Sequence, residues 1–561
     1  MRKFIGRLLA VVMAAPLLLS SARANVYATA VQLDGARSLV TGVAPGNVVI
    51  TYILNEPATL GTTIAVTSGS NLVRVLTAPP GANGALMGSN LFVWDGNNSN
   101  GIAVPTGNYL ITITPAAAGY TNWTQISHDT NPGNYVFDPR GLAVDNNSNS
   151  LFCGRIFVGN AGAGPHPETV PGDRDTILKL NADGTFPGDG TDGTGGFDGI
   201  YDDGYSDVPL KMRVADDDLL YMNDLTEWGE VVSFDPTLNS YQVVLDQNNY
   251  TQNPFAGIIF SSFNGWFSMD ITGAGTTNGL VWLGDNDLLG AGIWNWHLTN
   301  GVADPNDQTG NWAVAAALGG PLSVAASGGL MVDANMDIFV GQYLLTNTGD
   351  TNAQCMVFTN WNDGMAFNGE AVTNGTGWTA GTNDNNFLGV FDTTIDSRQH
   401  PKYVACALNG GPVTNGIRIL DALTGTNVVA NLDATNQYFV TAWDSVGNLY
   451  AAAGAPLHRL RVFSPPAGTN QTSTTALMRV VPIITGFTDD GTNVTVKFTG
   501  SKSDSASEFV LQNAGAVEGP FTNILSATVT QLAPGSFTVS TPVNPTNGPA
   551  QFYMIGVTLA P

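Results

Sequence analysis

Between residues 131 and 466 one short pattern recurs: an apolar strand, an Asp, a turn, and a second apolar strand. The copies are Gly141-Leu142-Ala143-Val144-Asp145 with Leu151-Phe152, Met212-Arg213-Val214-Ala215-Asp216 with Leu219-Leu220-Tyr221, and Trp266-Phe267-Ser268-Met269-Asp270 with Leu280-Val281-Trp282. Gly329-Leu330-Met331-Val332-Asp333 with Ile338-Phe339-Val340, Val390-Phe391-Asp392 with Tyr403-Val404-Ala405, and Val440-Thr441-Ala442-Trp443-Asp444 with Leu449-Tyr450-Ala451 follow. An exit strand comes after each, for example Ile177-Leu178-Lys179-Leu180 and Leu460-Arg461-Val462-Phe463. A unit of this kind, recurring at roughly 50 to 70 residues, cannot bury both faces of its small sheet alone, whereas radial stacking of several units can. The expectation is an all-β fold with a β-propeller of about six blades over residues 119–466. The repeated Asp is expected to cap its turn by accepting backbone N–H bonds, one structural job in every unit rather than a unique catalytic one.

Two of these words, Pro139-Arg140-Gly141-Leu142-Ala143-Val144-Asp145 and Asp444-Ser445-Val446-Gly447-Asn448-Leu449-Tyr450, resemble the NHL and gluconolactonase-like propeller families. The second resemblance implies a divalent ion in the central channel that activates water or polarises a lactone carbonyl.

Both flanks read as sandwiches. Residues 25–118 hold strand words broken by Gly, Pro and Asn: Val48 to Ala58, Leu72 to Leu76, Trp94-Asp95-Gly96, and Val104-Pro105-Thr106-Gly107-Asn108-Tyr109. These resemble the Ig-like module of the flagellar hook-capping protein, a spacer on many exported proteins; the resemblance implies architecture and not flagellar function. Residues 467–479, rich in Gly, Ser, Thr and Asn, read as a linker. Period-two alternation in Val494 to Phe498, Glu508 to Gln512, Phe537 to Val539 and Gln551 to Ile555 predicts a second sandwich over 480–561, which resembles fibronectin-type modules.

Composition limits the partners. A net charge of −25 repels phosphate backbones, so no nucleic-acid partner is expected. Glu occurs only seven times among the 45 acidic residues, leaving mostly Asp, a turn and cap residue, so helix is scarce. Arg2, Lys3 and Arg7, the apolar run Leu8 to Leu19, and Ala22-Arg23-Ala24 read as a signal peptide over 1–24. The mature chain is therefore expected outside the cell, on its surface or in the periplasm, with no membrane span.

Candidate chemistry is sparse. Asp189, Asp192, Asp198, Asp202, Asp203 and Asp207 lie among glycines and offer oxygen ligands for calcium, although no bidentate Glu completes the usual loop; the other reading is a solvated acidic insertion between blades. The histidines His128, His166, His297, His400 and His458 form no metal-ligand spacing. Cys153, Cys355 and Cys406 sit in apolar words, as buried thiols or with a Cys355 to Cys406 bridge. Trp266, Trp282, Trp294, Trp296, Trp312 and Trp361 are blade core or a sugar-stacking mouth, and the alternation in Ile293-Trp294-Asn295-Trp296 favours core. With no G-x-S-x-G elbow, Walker loop or Cys-x-x-Cys, nucleophilic catalysis has no support. The leading reading is a non-catalytic binding scaffold for an extracellular protein or glycan. A gluconolactonase-like hydrolase and a self-assembling structural subunit are the alternatives.

Overall fold

The computed structural model describes residues 26–42, 46–161, 176–189, 196–197, 209–224, 231–245, 268–285, 292–303, 327–342, 355–358, 390–396, 403–408, 415–422, 428–543 and 551–557. The signal segment 1–24 lies outside them. The chain is all-β, and among the described residues no helix is long and apolar enough to cross a membrane.

Six small antiparallel sheets follow one another along the described part of the middle region. Their first strands are Pro139–Val144, Pro209–Val214, Ser268–Thr272, Ser327–Val332, Val390–Ile395 and Tyr438–Trp443. Each of these packs against the first strand of the next sheet, and the last packs against the first, so they form a closed ring around an axis. The second strands (Ile156–Asn160, Leu220–Asp224, Leu280–Asp285, Ile338–Gln342, Tyr403–Leu408, Leu449–Ala453) and the third lie progressively further out. This is the arrangement of a β-propeller.

Alternation along each strand explains why the ring needs all its members. Side chains of a strand point by turns to opposite faces. In the first sheet Leu142, Val144, Ile156 and Val158 pack against Val440, Tyr450 and Leu460 of the sixth, whereas Ala143, Phe157 and Ile177 pack against Met212, Leu220 and Phe234 of the second. Both faces are thus buried, and the strands read as nearly continuous apolar runs rather than as polar-apolar alternation. The same division repeats between sheets two and three around Tyr221 and Met269, and between five and six around Ile419 and Trp443.

The inner strands approach so closely that glycine is required at one contact. A Cβ on Gly329 would stand 2.1 Å from the Thr393 backbone nitrogen and 2.7 Å from the Asp392 carbonyl carbon. The ring is closed by chain from both ends of the region: Thr124–Gln125, upstream of the first sheet, pairs with Arg459–Ser464 as the outermost strand of the sixth. Arg461 Nη2 and Asp129 Oδ2, at 2.5 Å, reinforce that join.

Two expectations need correction. Leu151-Phe152 is not the second strand of the first unit; it lies in the turn, and Ile156–Asn160 pairs with Pro139–Val144 instead. A longer connection is tolerated there because Asp145 and Arg155 close it by reciprocal backbone bonding through residues 145 and 154–155. Likewise the Gly, Ser and Thr-rich stretch 467–479 is not a free linker. Asn470–Gln471 and Thr474–Val480 pair with Gly107–Ala117 of the N-terminal sandwich, burying Ala476, Met478 and Val480 in its core. The period-two burial of Thr474–Val480, with Ala476, Met478 and Val480 inward, is what a strand on a half-buried sheet requires.

That sandwich has Ala28–Leu33, Val48–Leu54 and Gly88–Trp94 in one sheet, and Ser38–Thr41, Thr474–Val480, Gly107–Ala117, Gly61–Ser68 and Asn71–Ala78 in the other. Trp94 is fully buried between them, its indole N–H donating to the Asn97 carbonyl at 2.9 Å. Its edge against the ring carries Tyr27, packed with Ala182 and Val446, and Glu56, whose carboxylate accepts from Tyr120 at 2.8 Å. The C-terminal sandwich joins Ile483–Asp489, Asn493–Thr499, Ser536–Pro542 and Thr528–Ala533 to a smaller sheet of Thr522–Asn523, Phe509–Ala514 and Phe552–Val557 around Phe498, Phe509 and Phe537. Asp504 fastens it to the first sandwich by accepting from the Thr106 N–H at 2.8 Å.

The contact at Gly329 is testable. Gly329→Ala should cost about 3 kcal/mol of stability by overpacking, read as a lowered urea midpoint. Gly468→Ala, where nothing lies within 4 Å of the added methyl, should leave it within about 0.5 kcal/mol.

Candidate functional site

The first strands all end on the same face of the ring, where their C-terminal ends enclose a funnel of about 710 Å³. Its wall is built from Leu142, Val144, Ile271, Val332, Ile395 and Ala442. Asn146, Asn147, Asp216, Asn278, Asp333 and Asn335, from the turns that follow, form its polar rim. The rim is knitted together: Asn147 Nδ2 donates to Asp218 Oδ1 at 2.8 Å, Asp217 Oδ2 accepts from the Thr276 N–H at 2.8 Å, and Asn146 Nδ2 donates to the Trp443 carbonyl at 2.9 Å.

Beneath the funnel the centre of the ring is filled by four charges. Lys211 and Arg213, two residues apart on Pro209–Val214, share a strand face, and both are buried. Across the axis lies Asp392 of the fifth sheet, with Oδ1 at 3.6 Å from Lys211 Nζ and 3.6 Å from Arg213 Nη2. Asp270 of the third sheet lies beside them, Oδ1 at 3.5 Å from Arg213 Nε. The second oxygen of each carboxylate takes a backbone N–H from the next inner strand: Val332 donates to Asp270 at 2.6 Å and Thr441 to Asp392 at 2.9 Å. Arg213 Nη2 donates to the Leu330 carbonyl at 3.3 Å. Five of the six sheets thus meet in one buried network of two cations and two anions.

Burial dominates the titration of this network. It holds the Lys211 ammonium down at about 8, with Asp392 acting in the opposite sense, and raises the Asp270 carboxyl to about 6 against the pull of Arg213.

Asp270 and Asp392 do not have the job expected of the repeated Asp. Asp145, Asp333 and Asp444 cap their turns, accepting from the N–H groups of Asn147, of Asn335 and Asp337, and of Val446 and Asn448. Asp270 and Asp392 instead lie inside Ser268–Thr272 and Val390–Ile395, and in the fifth sheet the turn position belongs to Asp396. The sequence words look alike because strand interior and turn are only a few residues apart. Asp216 heads its turn, exposed on the funnel rim. Lys211 and Arg213 were not anticipated, yet a signal was present: two cations at period two in an apolar strand, in a chain with only 20 Lys and Arg together.

Of the proposed calcium ligands, Asp189 is engaged by two cations, Arg155 Nη2 at 2.9 Å and Lys179 Nζ at 2.8 Å. Asp192, Asp198, Asp202, Asp203 and Asp207 lie outside the described residues. Among the described residues no three His, Cys, Asp or Glu side chains converge as a metal site. His458 stacks on Phe137 and its Nδ1 lies 2.6 Å from the Phe137 carbonyl, a packing role. Cys153 and Cys406 are free thiols, Cys406 fully buried, so the bridge from Cys406 to Cys355 is not formed. Trp282 and Trp296 are core, as the alternation predicts. Trp266, Trp312, Trp361 and the side chain of Trp294 lie outside the described residues, as do His166 and His400.

No protein-family model matches the chain, and no curated protein matches it. Among solved structures, one described as YCF48 bound to D1 peptide is similar at 9% identity over 75% of this chain and 98% of that one, with a TM-score of 0.29. The outer coat vertex of COPII on membranes is similar at 9% identity over 76% and 99%, with a TM-score of 0.34. At these scores the propeller assignment rests on the strand pairing and the closed ring.

The raised Asp270 carboxyl has a measurable consequence. The folded chain holds this proton more tightly than the unfolded one, so the group favours folding below its ordinary 3.8, and that contribution is lost as the pH rises through about 6. Asp270→Asn is neutral throughout and escapes the loss. Its urea midpoint relative to the parent should therefore rise between about pH 4 and pH 7; a constant difference would contradict this account.

Proposed function

We propose that the chain is an exported, non-catalytic binding protein, in which a six-bladed propeller of the NHL type presents the funnel to a partner. An Ig-like and a fibronectin-like sandwich flank it as spacers. The ring of six sheets among the described residues supports the blade number, and the two-sheet cores at either end support the flanking modules.

One observation carries the choice of binding over hydrolysis: both channel carboxylates are already committed, each facing a buried cation on one oxygen and a backbone N–H on the other. A hydrolase of the gluconolactonase-like kind needs carboxylates that converge on a divalent ion and on the water it activates. Here Lys211 and Arg213 occupy the space between Asp270 and Asp392, and their charge opposes a second cation there. A preformed concave wall with polar groups on its rim is what a ligand site requires.

Two measurements test this reading. Chain recovered from outside the producing cells should begin at Asn25, immediately after the signal segment. Mature protein supplied with gluconolactone and with calcium, manganese or zinc should hydrolyse it no faster than the buffer does. Metal-dependent turnover that disappears in Asp270→Asn would replace the binding reading with the enzyme.

A further inference from the structure

We propose that the N-terminal sandwich is seated on the ring by a contact that depends on the protonation of Glu56: the neutral acid keeps the sandwich in place, and the carboxylate lets it lift. The seat lies on the turns that follow the first strands of sheets one and six, at 145–155 and 444–448. Tyr27 packs there with Val446 and Ala182, and a Cβ on Gly154 would stand 2.8 Å from Thr29 Cγ2. The first of these turns also carries Asn146 and Asn147 of the funnel rim, so the sandwich stands beside the opening whatever ligand the funnel takes. Lifting needs a hinge, and the two chain passages between sandwich and ring run side by side: the Ala467 N–H donates to the Tyr120 carbonyl at 2.9 Å.

Glu56 is 1% exposed; its Oε2 accepts from the Tyr120 hydroxyl at 2.8 Å, and its Oε1 has no hydrogen-bond partner among the described residues. A neutral carboxyl tolerates such a place, whereas a buried carboxylate needs a cation or further donors. From the sixth sheet it is faced by Asp444, a buried carboxylate satisfied by the Val446 and Asn448 N–H groups and the Asn448 side chain. Among the described residues no cation acts on Glu56; Arg37 of the sandwich acts on Cys153 instead. Ionising Glu56 therefore sets two like charges in one dry seat. Burial pushes the other acidic groups of the seat, Tyr27, Tyr450 and Cys153, far up, the thiol to about 12, so they stay neutral. Asp183 meets the sandwich at Gly88, where a Cβ would stand 3.0 Å from its Oδ2, and Asp145 on the first turn is raised by burial to about 7.

Burial likewise raises the Glu56 carboxyl to about 7, with Tyr120 opposing and Asp444 reinforcing. A lifted sandwich returns Glu56 to its ordinary 4.5, so its support for seating is complete below that value and is lost as the pH rises through about 7.

The test is hydrogen exchange of the full mature chain, read by mass spectrometry and corrected for the intrinsic pH dependence of exchange. Protection of the turns 145–155 and 444–448 should fall by about tenfold or more between about pH 5 and pH 7.5, while Leu220–Asp224 of the second sheet stays protected. Glu56→Gln is neutral throughout and should flatten the decline. Tyr120→Phe removes the bond that favours the carboxylate and should carry the decline to higher pH. Asp145→Asn should leave it in place. A decline unchanged in Glu56→Gln, or one abolished by Asp145→Asn alone, would overturn the proposal, and so would an unmoved decline in Tyr120→Phe even where Glu56→Gln does not fold. Loss of protection in Leu220–Asp224 with the same pH dependence would mean unfolding of the ring and would overturn it too.

Discussion

A sheet of three or four short strands has two apolar faces and no means of covering either, and everything in the middle of this chain follows from that deficit. Phe157 must face one neighbour and Ile156 and Val158 the other, so removing any sheet would uncover the two beside it. The ring is the arrangement that leaves no sheet without a partner on either side. Its tightness is set where inner strands meet, at Gly329 against residues 392–393 and at Gly141, where an added Cβ would stand 2.6 Å from the Met212 sulfur.

Strands converging on an axis leave a narrow space that must itself be filled. In this protein it is filled by Lys211, Arg213, Asp270 and Asp392 rather than by apolar side chains. Burying such a group costs more than an apolar filling would, and its internal attraction only partly offsets the cost. What the charges supply is connection. Backbone groups of Leu330, Val332 and Thr441, on the fourth and sixth sheets, are tied to side chains of the second, third and fifth. The network also sets the floor of the funnel, so the polarity of that floor is determined by how the ring is held together.

Much of this was legible in the sequence. The all-β class, the strand pairs of the middle region after the first and the core role of Trp282 and Trp296 follow from periodicity and turn residues, which act locally. The failures were of two kinds. Asp270 and Asp392 were grouped with turn caps because a strand-Asp word does not say whether the Asp ends the strand or sits inside it. That depends on which residue pairs across the hairpin, such as Thr272 with Leu280 or Ile395 with Val404. The stretch 467–479 reads as linker because its first half, from Ala467 to Thr475, is rich in Gly, Ser, Thr and Asn, which masks the inward Ala476 and Met478 of Thr474–Val480. Their partner, Gly107–Ala117, lies more than three hundred residues away, and no local pattern announces a pairing of that span. The funnel was illegible for the same reason, since its lining is assembled from the ends of six separate strands.

The returning strand Thr474–Val480 alters how the molecule responds to mechanical load. It lies in the chain between the last strand of the ring and the C-terminal sandwich, and it is anchored in the sandwich that precedes the ring. Tension applied between the two ends of the molecule therefore runs from one sandwich directly into the other. The propeller hangs from that line as a slack loop, its funnel unstretched for as long as the pairing with Gly107–Ala117 survives.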